Sequence, residues 1–223
     1  MYNKLYQYRF ELFILSLCLI LFGSLLFHIG NYETRILPIF FIFNILTGIL
    51  LISKHKILSR IFLFLLFYAI FIFIVSVIYN KPSRDYLFTR IIVYLIFYTT
   101  VTITLIKQIW DSKIVDKSVF LGLMSGYISL GLIAFFMFLA IEYSFPNSFD
   151  GLSNIIINGA SFKNESLLYY SFITLLTIGY GEITPLTAMA QKASILTGLM
   201  GQFYIVIVTA VVIGKYISNP KKS

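Results

Sequence analysis

The chain has 223 residues, of which 59% are hydrophobic, 18% aromatic and only 12% charged, with a mean hydropathy of +0.92. A soluble domain is about half apolar and about a quarter charged, and one globular core in so short a chain cannot bury this much apolar surface. That excludes a soluble single-domain enzyme and a disordered chain. Lys and Arg number 17 against 9 Asp and Glu, for a net charge of +8; in so apolar a chain this first raises the question of which side of a membrane the basic residues occupy.

In chain order, the apolar residues fall into stretches at 10–29, 36–53, 59–79, 89–107, 119–143 and 194–216. Each is about 18–25 residues long, and a helix of about 20 apolar residues crosses the hydrocarbon core. The pattern predicts an all-α membrane protein with six transmembrane helices. The first stretch is longer than the apolar run of a secretory signal and lacks a small-residue cleavage site after it, so it is expected to stay in the protein. Cys18, the single cysteine, lies within it and leaves no intrachain disulfide. His28 and His55 stand apart from other ligand types, so no metal centre is expected. Asn164-Glu165-Ser166 forms a glycosylation sequon, relevant only in a eukaryotic secretory pathway.

The fourth stretch tests for voltage sensing, which needs several charges in the field, each worth about 2.3 kcal/mol per 100 mV. It holds Arg90 and Lys107 at its two ends and no charge between them, so strong intrinsic voltage sensing is not expected. Thr99, Thr100, Thr102 and Thr104 in the same stretch read as hydroxyls bonding back to their own helix. Phe62, Phe64, Phe67 and Phe71 in the third stretch read as lipid-facing or packing residues. The connections 30–35, 54–58, 80–88 and 108–118 leave no room for a soluble domain.

The connection 144–193 is different. A polar part precedes the apolar run Leu167 to Leu176, too short to span and therefore expected to be re-entrant. Directly after it comes Thr177-Ile178-Gly179-Tyr180-Gly181. Stacked rings of backbone carbonyls, with a threonine hydroxyl, can replace the water shell of a potassium ion. Successive carbonyls can face one axis only if the backbone alternates in handedness, and glycine reaches the left-handed region without a Cβ penalty. Ile178 and Tyr180 must then turn outward.

Thr177 to Gly181 resembles the potassium-channel signature, and Glu182-Ile183-Thr184-Pro185 resembles the acid, hydrophobic residue and Thr-Pro pair that come directly after the signature in that family. The resemblance covers about 119–217 and is most specific over 167–185. It implies a pore helix, a filter and an inner helix between spans five and six, and a homotetramer, because one chain supplies one quarter of the filter. It implies K+ held at Thr177, Ile178, Gly179 and Tyr180, Glu182 at the filter mouth, and Tyr169 and Tyr170 as filter support. It also implies a gating hinge at Gly201, for which helix packing is the alternative role. The run Gly201-Gln202-Phe203-Tyr204 resembles a subgroup of bacterial six-helix potassium channels, and by analogy with the family a short chain with no regulatory domain suggests a bacterial plasma membrane. Leu176, Glu182, Ala190 and Gln191 depart from the commoner family residues without touching the carbonyl ladder.

Three segments are expected: a four-helix N-terminal bundle at 1–118, the pore module at 119–217 and a short tail at 218–223. With both termini cytoplasmic, eleven Lys and Arg and three acids lie inside, and six of each outside, as the positive-inside rule favours. Trp110 and Tyr216 then read as anchors at the cytoplasmic interface. Gln202 reads as an interhelical hydrogen-bonding residue, with a cavity-facing role as the alternative, and Gly198 as a packing position. Glu142, Asp150 and Glu165 read as solvated charges near the mouth. K+ is the expected permeant ion, with no organic cofactor, no nucleic acid, no soluble ligand domain and the lipid bilayer as surroundings. A weakly selective cation channel and a non-conducting scaffold are the alternative readings.

Overall fold

A computed structural model describes residues 6–27, 32, 36–53, 56–79, 84–112, 115–152, 156–157, 160–161 and 163–218. His28, His55, Lys81 and the tail at 219–223 lie outside them, as do the side chains of Arg84 and Asp85. The helices are α1 (Arg9–Phe22), α2 (Leu37–Ile52), α3 (Lys56–Tyr79), α4 (Arg84–Asp111), α5 (Lys117–Ser144), α6 (Lys163–Leu175), α7 (Ala188–Phe203) and α8 (Thr209–Ser218). A π-helical segment, Tyr204–Val208, joins α7 to α8. Among the described residues, four helical stretches are long and apolar enough to cross a membrane: Lys56–Val75, Leu87–Asp111, Lys117–Ser144 and Ala188–Ser218. At 1.5 Å per residue, α1 and α2, with 14 and 16 residues, reach only about 21 and 24 Å.

By its contacts the chain forms two compact units, 1–97 with 152–166, and 98–151 with 167–223. In the first unit, α1 and α2 pack through a buried polar cluster. Asn44 Nδ2 donates to Ser16 Oγ at 2.8 Å, and the Ser16 and Thr47 hydroxyls share a bond at 2.9 Å. Hydrogen bonds between helices in apolar surroundings are worth about 0.6–2 kcal/mol each and fix the register of the pair. Tyr32 ties into α1 by donating to the Ile20 carbonyl at 2.8 Å. The Phe97 ring packs on Phe62 at 5.0 Å and presses against Gly48, where an added Cβ would lie 2.8 Å from the ring. A two-residue ladder pairs β2 (Ile156–Ile157) with β3 (Ala160–Ser161).

The second unit is organised on α5. Asp116 caps its start by accepting from the Val119 amide at 3.1 Å. Gly122, Ser125, Gly126, Ser129 and Gly131 are buried along it, and small residues let neighbouring side chains and backbones approach closely. Gly131 receives the ring of Phe172 from α6, and Gly126 receives the ring of Tyr204 from the π segment; a Cβ at either position would collide with those rings. Tyr204 then donates to the Leu123 carbonyl at 2.8 Å. Gly201 on α7 lies directly on the Leu175 carbonyl at the end of α6, where any side chain would overlap. The short helix is thus wedged between α5 and α7 through glycines on both.

Thr104 in the fourth stretch bonds as expected, its hydroxyl donating back to the Thr100 carbonyl at 2.7 Å, whereas the buried Thr102 hydroxyl finds no partner among the described residues. In α3, Phe62 is buried while Phe64, Phe67 and Phe71 are exposed.

Candidate functional site

The apolar run expected at Leu167 to Leu176 is part of a longer helix. α6 starts at Lys163, because a polar first turn containing Glu165 extends it toward the N-terminus, and it ends at Leu175. Its 13 residues reach about 20 Å, less than a bilayer core. The Glu165 carboxyl in the first turn is half-buried, and burial raises its pKa. The chain then leaves the helix. The Ile178 amide donates to the Ile173 carbonyl at 2.8 Å, the Gly179 amide to the same oxygen at 3.3 Å, and the Thr177 amide to the Thr174 carbonyl at 3.1 Å. These bonds anchor the start of Thr177–Gly181 to the helix end.

Backbone handedness alternates along this segment. The φ angles are +58° at Thr177, +57° at Gly179 and +92° at Gly181, whereas Ile178 and Tyr180 have negative φ. Nothing lies within 4 Å of an added Cβ at Gly179 or Gly181, so conformation, not space, requires glycine there. Thr177 adopts the left-handed conformation as a β-branched residue, at a cost of about 1–2 kcal/mol. Among the described residues, no carbonyl from Thr177 to Gly181 accepts a hydrogen bond. The amides at the start of the segment face the helix, and the row of carbonyl oxygens is left open. Ile178 and Tyr180 are 47% and 73% exposed in the single chain.

Tyr169 and Tyr170 do different things. The Tyr169 phenol is held up at about 12, first by its hydrogen bond with Glu182, then by desolvation and by the charges of Glu182 and Tyr180. Tyr170 is buried; its hydroxyl shares a 2.7 Å hydrogen bond with Ser194 on α7, and its ring packs on Phe138 and Phe149 at 5.0 and 5.4 Å. Tyr169 therefore reaches the segment's exit, while Tyr170 fastens α6 to its scaffold. Gln202 is exposed, and its amide lies 3.4 Å from Thr177 Oγ1. It faces the foot of the segment rather than pairing with another helix. Gly201, a packing or hinge position by its sequence, lies close against the Leu175 carbonyl. Gly198, expected to be a packing position, has nothing within 4 Å of an added Cβ among the described residues.

Glu142 is no solvated mouth charge, contrary to expectation. It is 2% exposed at the end of α5, and its carboxylate accepts the Asn147 and Ser148 amides, both at 2.9 Å. The turn it holds, with Asn147 at φ +66°, leads into β1 (Phe149–Asp150), which pairs antiparallel with β4 (Thr184–Pro185) just after the segment. The Leu186 amide donates to the Ser148 carbonyl at 2.8 Å. Gly151, at φ +76°, lies on the Glu182 carbonyl, where a side chain would overlap. Glu142 thus fixes a strap across the exit of Thr177–Gly181. The sequence contained no signal for this role, because the partners are main-chain amides. Asp150 and Lys192 are exposed, as expected of solvated charges.

Residues 151–218 match a family model described as ion channel. The match runs from the strap's glycine through α6, the Thr177–Gly181 segment and the inner helix, and it supports an ion-channel family for this part of the chain. Comparisons with curated proteins and with solved structures give no significant match. The ion-channel match and the apolar helices together point to a multi-pass membrane protein.

This geometry has two testable outcomes. Glu142→Gln removes a charged acceptor from two buried amides, and such bonds are worth about 1.5–3 kcal/mol; the thermal unfolding temperature in detergent should fall accordingly, whereas Asp150→Asn should leave stability within about 0.5 kcal/mol. The second concerns pH. A phenol raised from 10.0 to about 12 contributes stability that is full below pH 10 and is lost between pH 10 and about 12. Tyr169→Phe should therefore remove a stability loss in that alkaline window, measured as the difference between wild-type and variant unfolding temperatures.

Proposed function

We propose that the chain is one subunit of a homotetrameric, potassium-selective channel whose filter is Thr177–Gly181. The observation that carries this reading is the alternating handedness of the segment together with its open carbonyls. An ion leaving water must find oxygens at matching distance and little net cost, and rings of carbonyls supply them. Four copies around one axis would stack the carbonyls of Thr177, Ile178, Gly179 and Tyr180, with the Thr177 hydroxyls below and Glu182 at the outer mouth. The exposed Ile178 and Tyr180 side chains would then pack against neighbouring subunits and hold the ring diameter. α6, re-entrant in this reading, presents the negative end of its dipole beneath the filter, where it favours a cation. Gln202 would line the cavity there.

Six spans complete the subunit, with α1 and α2 crossing as the shorter pair, both termini in the cytoplasm, and a plasma-membrane location. Permeation is passive. The run from Ile91 to Ile106 in α4 has no charge, so gating does not come from an intrinsic voltage sensor.

Purified protein in liposomes tests this directly. Potassium flux should exceed sodium flux by orders of magnitude, and Ba²⁺ should block it. Gly179→Ala, which forces a Cβ into a left-handed position at about 1–2 kcal/mol per subunit, should abolish flux in a protein that still assembles. Equal potassium and sodium flux would instead indicate a weakly selective cation channel, and flux unchanged by Gly179→Ala would contradict conduction through this segment.

A further inference from the structure

Between Ile195 and Gly214 the inner helix holds one carboxamide, Gln202. It lies near the end of α7 and is exposed in the single chain. Such a group in apolar surroundings is costly unless it is paired. Its Nε2 donates to Thr177 Oγ1 at 3.4 Å, and among the described residues this is the one hydrogen bond that either side chain makes.

The backbones on both sides of this contact are fixed. Gly201, directly before Gln202, lies on the Leu175 carbonyl, and the Tyr127 hydroxyl of α5 donates to the same oxygen at 3.3 Å. The close approach that a glycine permits thus sets α7 against the end of α6, one residue before Gln202 and two before Thr177. Thr177 is left-handed at φ +58°, and its amide donates to the Thr174 carbonyl at 3.1 Å. With the main chain set, the hydroxyl is the part still able to turn. A hydroxyl has one donor hydrogen and two acceptor lone pairs, and its hydrogen rotates to suit. An N–H on one lone pair fixes the oxygen and leaves the other lone pair for a cation.

We infer that Gln202 is a positioning residue for the innermost ion site: its amide holds the Thr177 hydroxyl with one lone pair turned to the ion, and so sets how tightly a cation rests at the foot of the filter. The inference rests on the channel reading above. A single bond of this length is weak, but four copies of it act on one ion in the assembled channel. A divalent cation such as Ba²⁺ reports the effect most sharply, because its doubled charge doubles its attraction to each ligand oxygen. The carbonyls above Thr177 supply the path, and Gln202 tunes occupancy at its inner end.

Two measurements test this role. The first is a double-variant cycle of thermal unfolding in detergent, which needs no conduction. Thr177→Val keeps the branched shape and loses the hydroxyl; Gln202→Met keeps the length and loses the donor. Together they should change the unfolding temperature by less than the sum of their separate effects, because either one alone removes the bond; strict additivity overturns the contact. The second is block by cytoplasmic Ba²⁺ in planar bilayers. Gln202→Met should weaken the block about tenfold, the order expected for a lost hydrogen bond, and should have no further effect in the Thr177→Val background. If Gln202→Met does not assemble, Gln202→Asn, which keeps the amide one methylene short of Thr177, takes its place. Wild-type Ba²⁺ block in the variant overturns the proposal, as does an equal weakening in the Thr177→Val background, which would mark an effect not passed through the hydroxyl. A wild-type protein that passes no ions removes the channel reading and the ion-site role with it, while the unfolding cycle still decides the contact.

Discussion

Main-chain carbonyls can serve an ion only if nothing else claims them and if they share a direction, and a polypeptide of one handedness satisfies neither condition. In the segment Thr177–Gly181 the carbonyls accept no hydrogen bond among the described residues, and every second residue is left-handed. Glycine makes two of the three left-handed positions inexpensive. The third falls on a threonine and is strained, so it persists only because the surroundings determine it. Much of the second unit can be read as the apparatus that imposes this conformation.

That apparatus works from both ends. At the foot, the Ile173 carbonyl receives two amides and sets the exit angle from α6, while α6 is seated on Gly131 and Gly201. At the top, the strap anchored by Glu142 lies across Glu182, whose side chain raises the pKa of the Tyr169 phenol. The buried carboxylate is tolerated because two amides satisfy it, and removing an acceptor from such a pair leaves buried donors unmet. The aromatic cluster of Phe138, Phe149 and Tyr170 fills the space between strap and helix. The glycines on α5 and the left-handed residues thus serve one end: rigid positioning of a short stretch of main chain.

What the amino-acid sequence made legible was local or compositional. Apolar run length marked the helices, and two glycines two residues apart, after a threonine, marked the segment whose backbone alternates in handedness. The start of α6 was missed by four residues, since a polar first turn has no apolar periodicity. The inner helix begins at Ala188, before the apolar run that announced it, because Thr187 caps it through the Ala190 amide. Glu142 was illegible because it binds main-chain groups, which every residue has, so no side-chain pattern announces the partner. The pairing of Gly126 with Tyr204 was hidden by sequence distance, and the left-handed Thr177 by residue type.

The proposed filter requires the carbonyls of Thr177, Ile178, Gly179 and Tyr180 to surround an ion. The most direct test is a structure of the assembled protein determined in Rb⁺, whose anomalous scattering reports ion positions. Discrete Rb⁺ peaks are predicted on a four-fold axis, ringed by those carbonyls and weakened when Na⁺ replaces Rb⁺. Carbonyls turned away from any shared axis, or an assembly with no ion density between them, would contradict the filter.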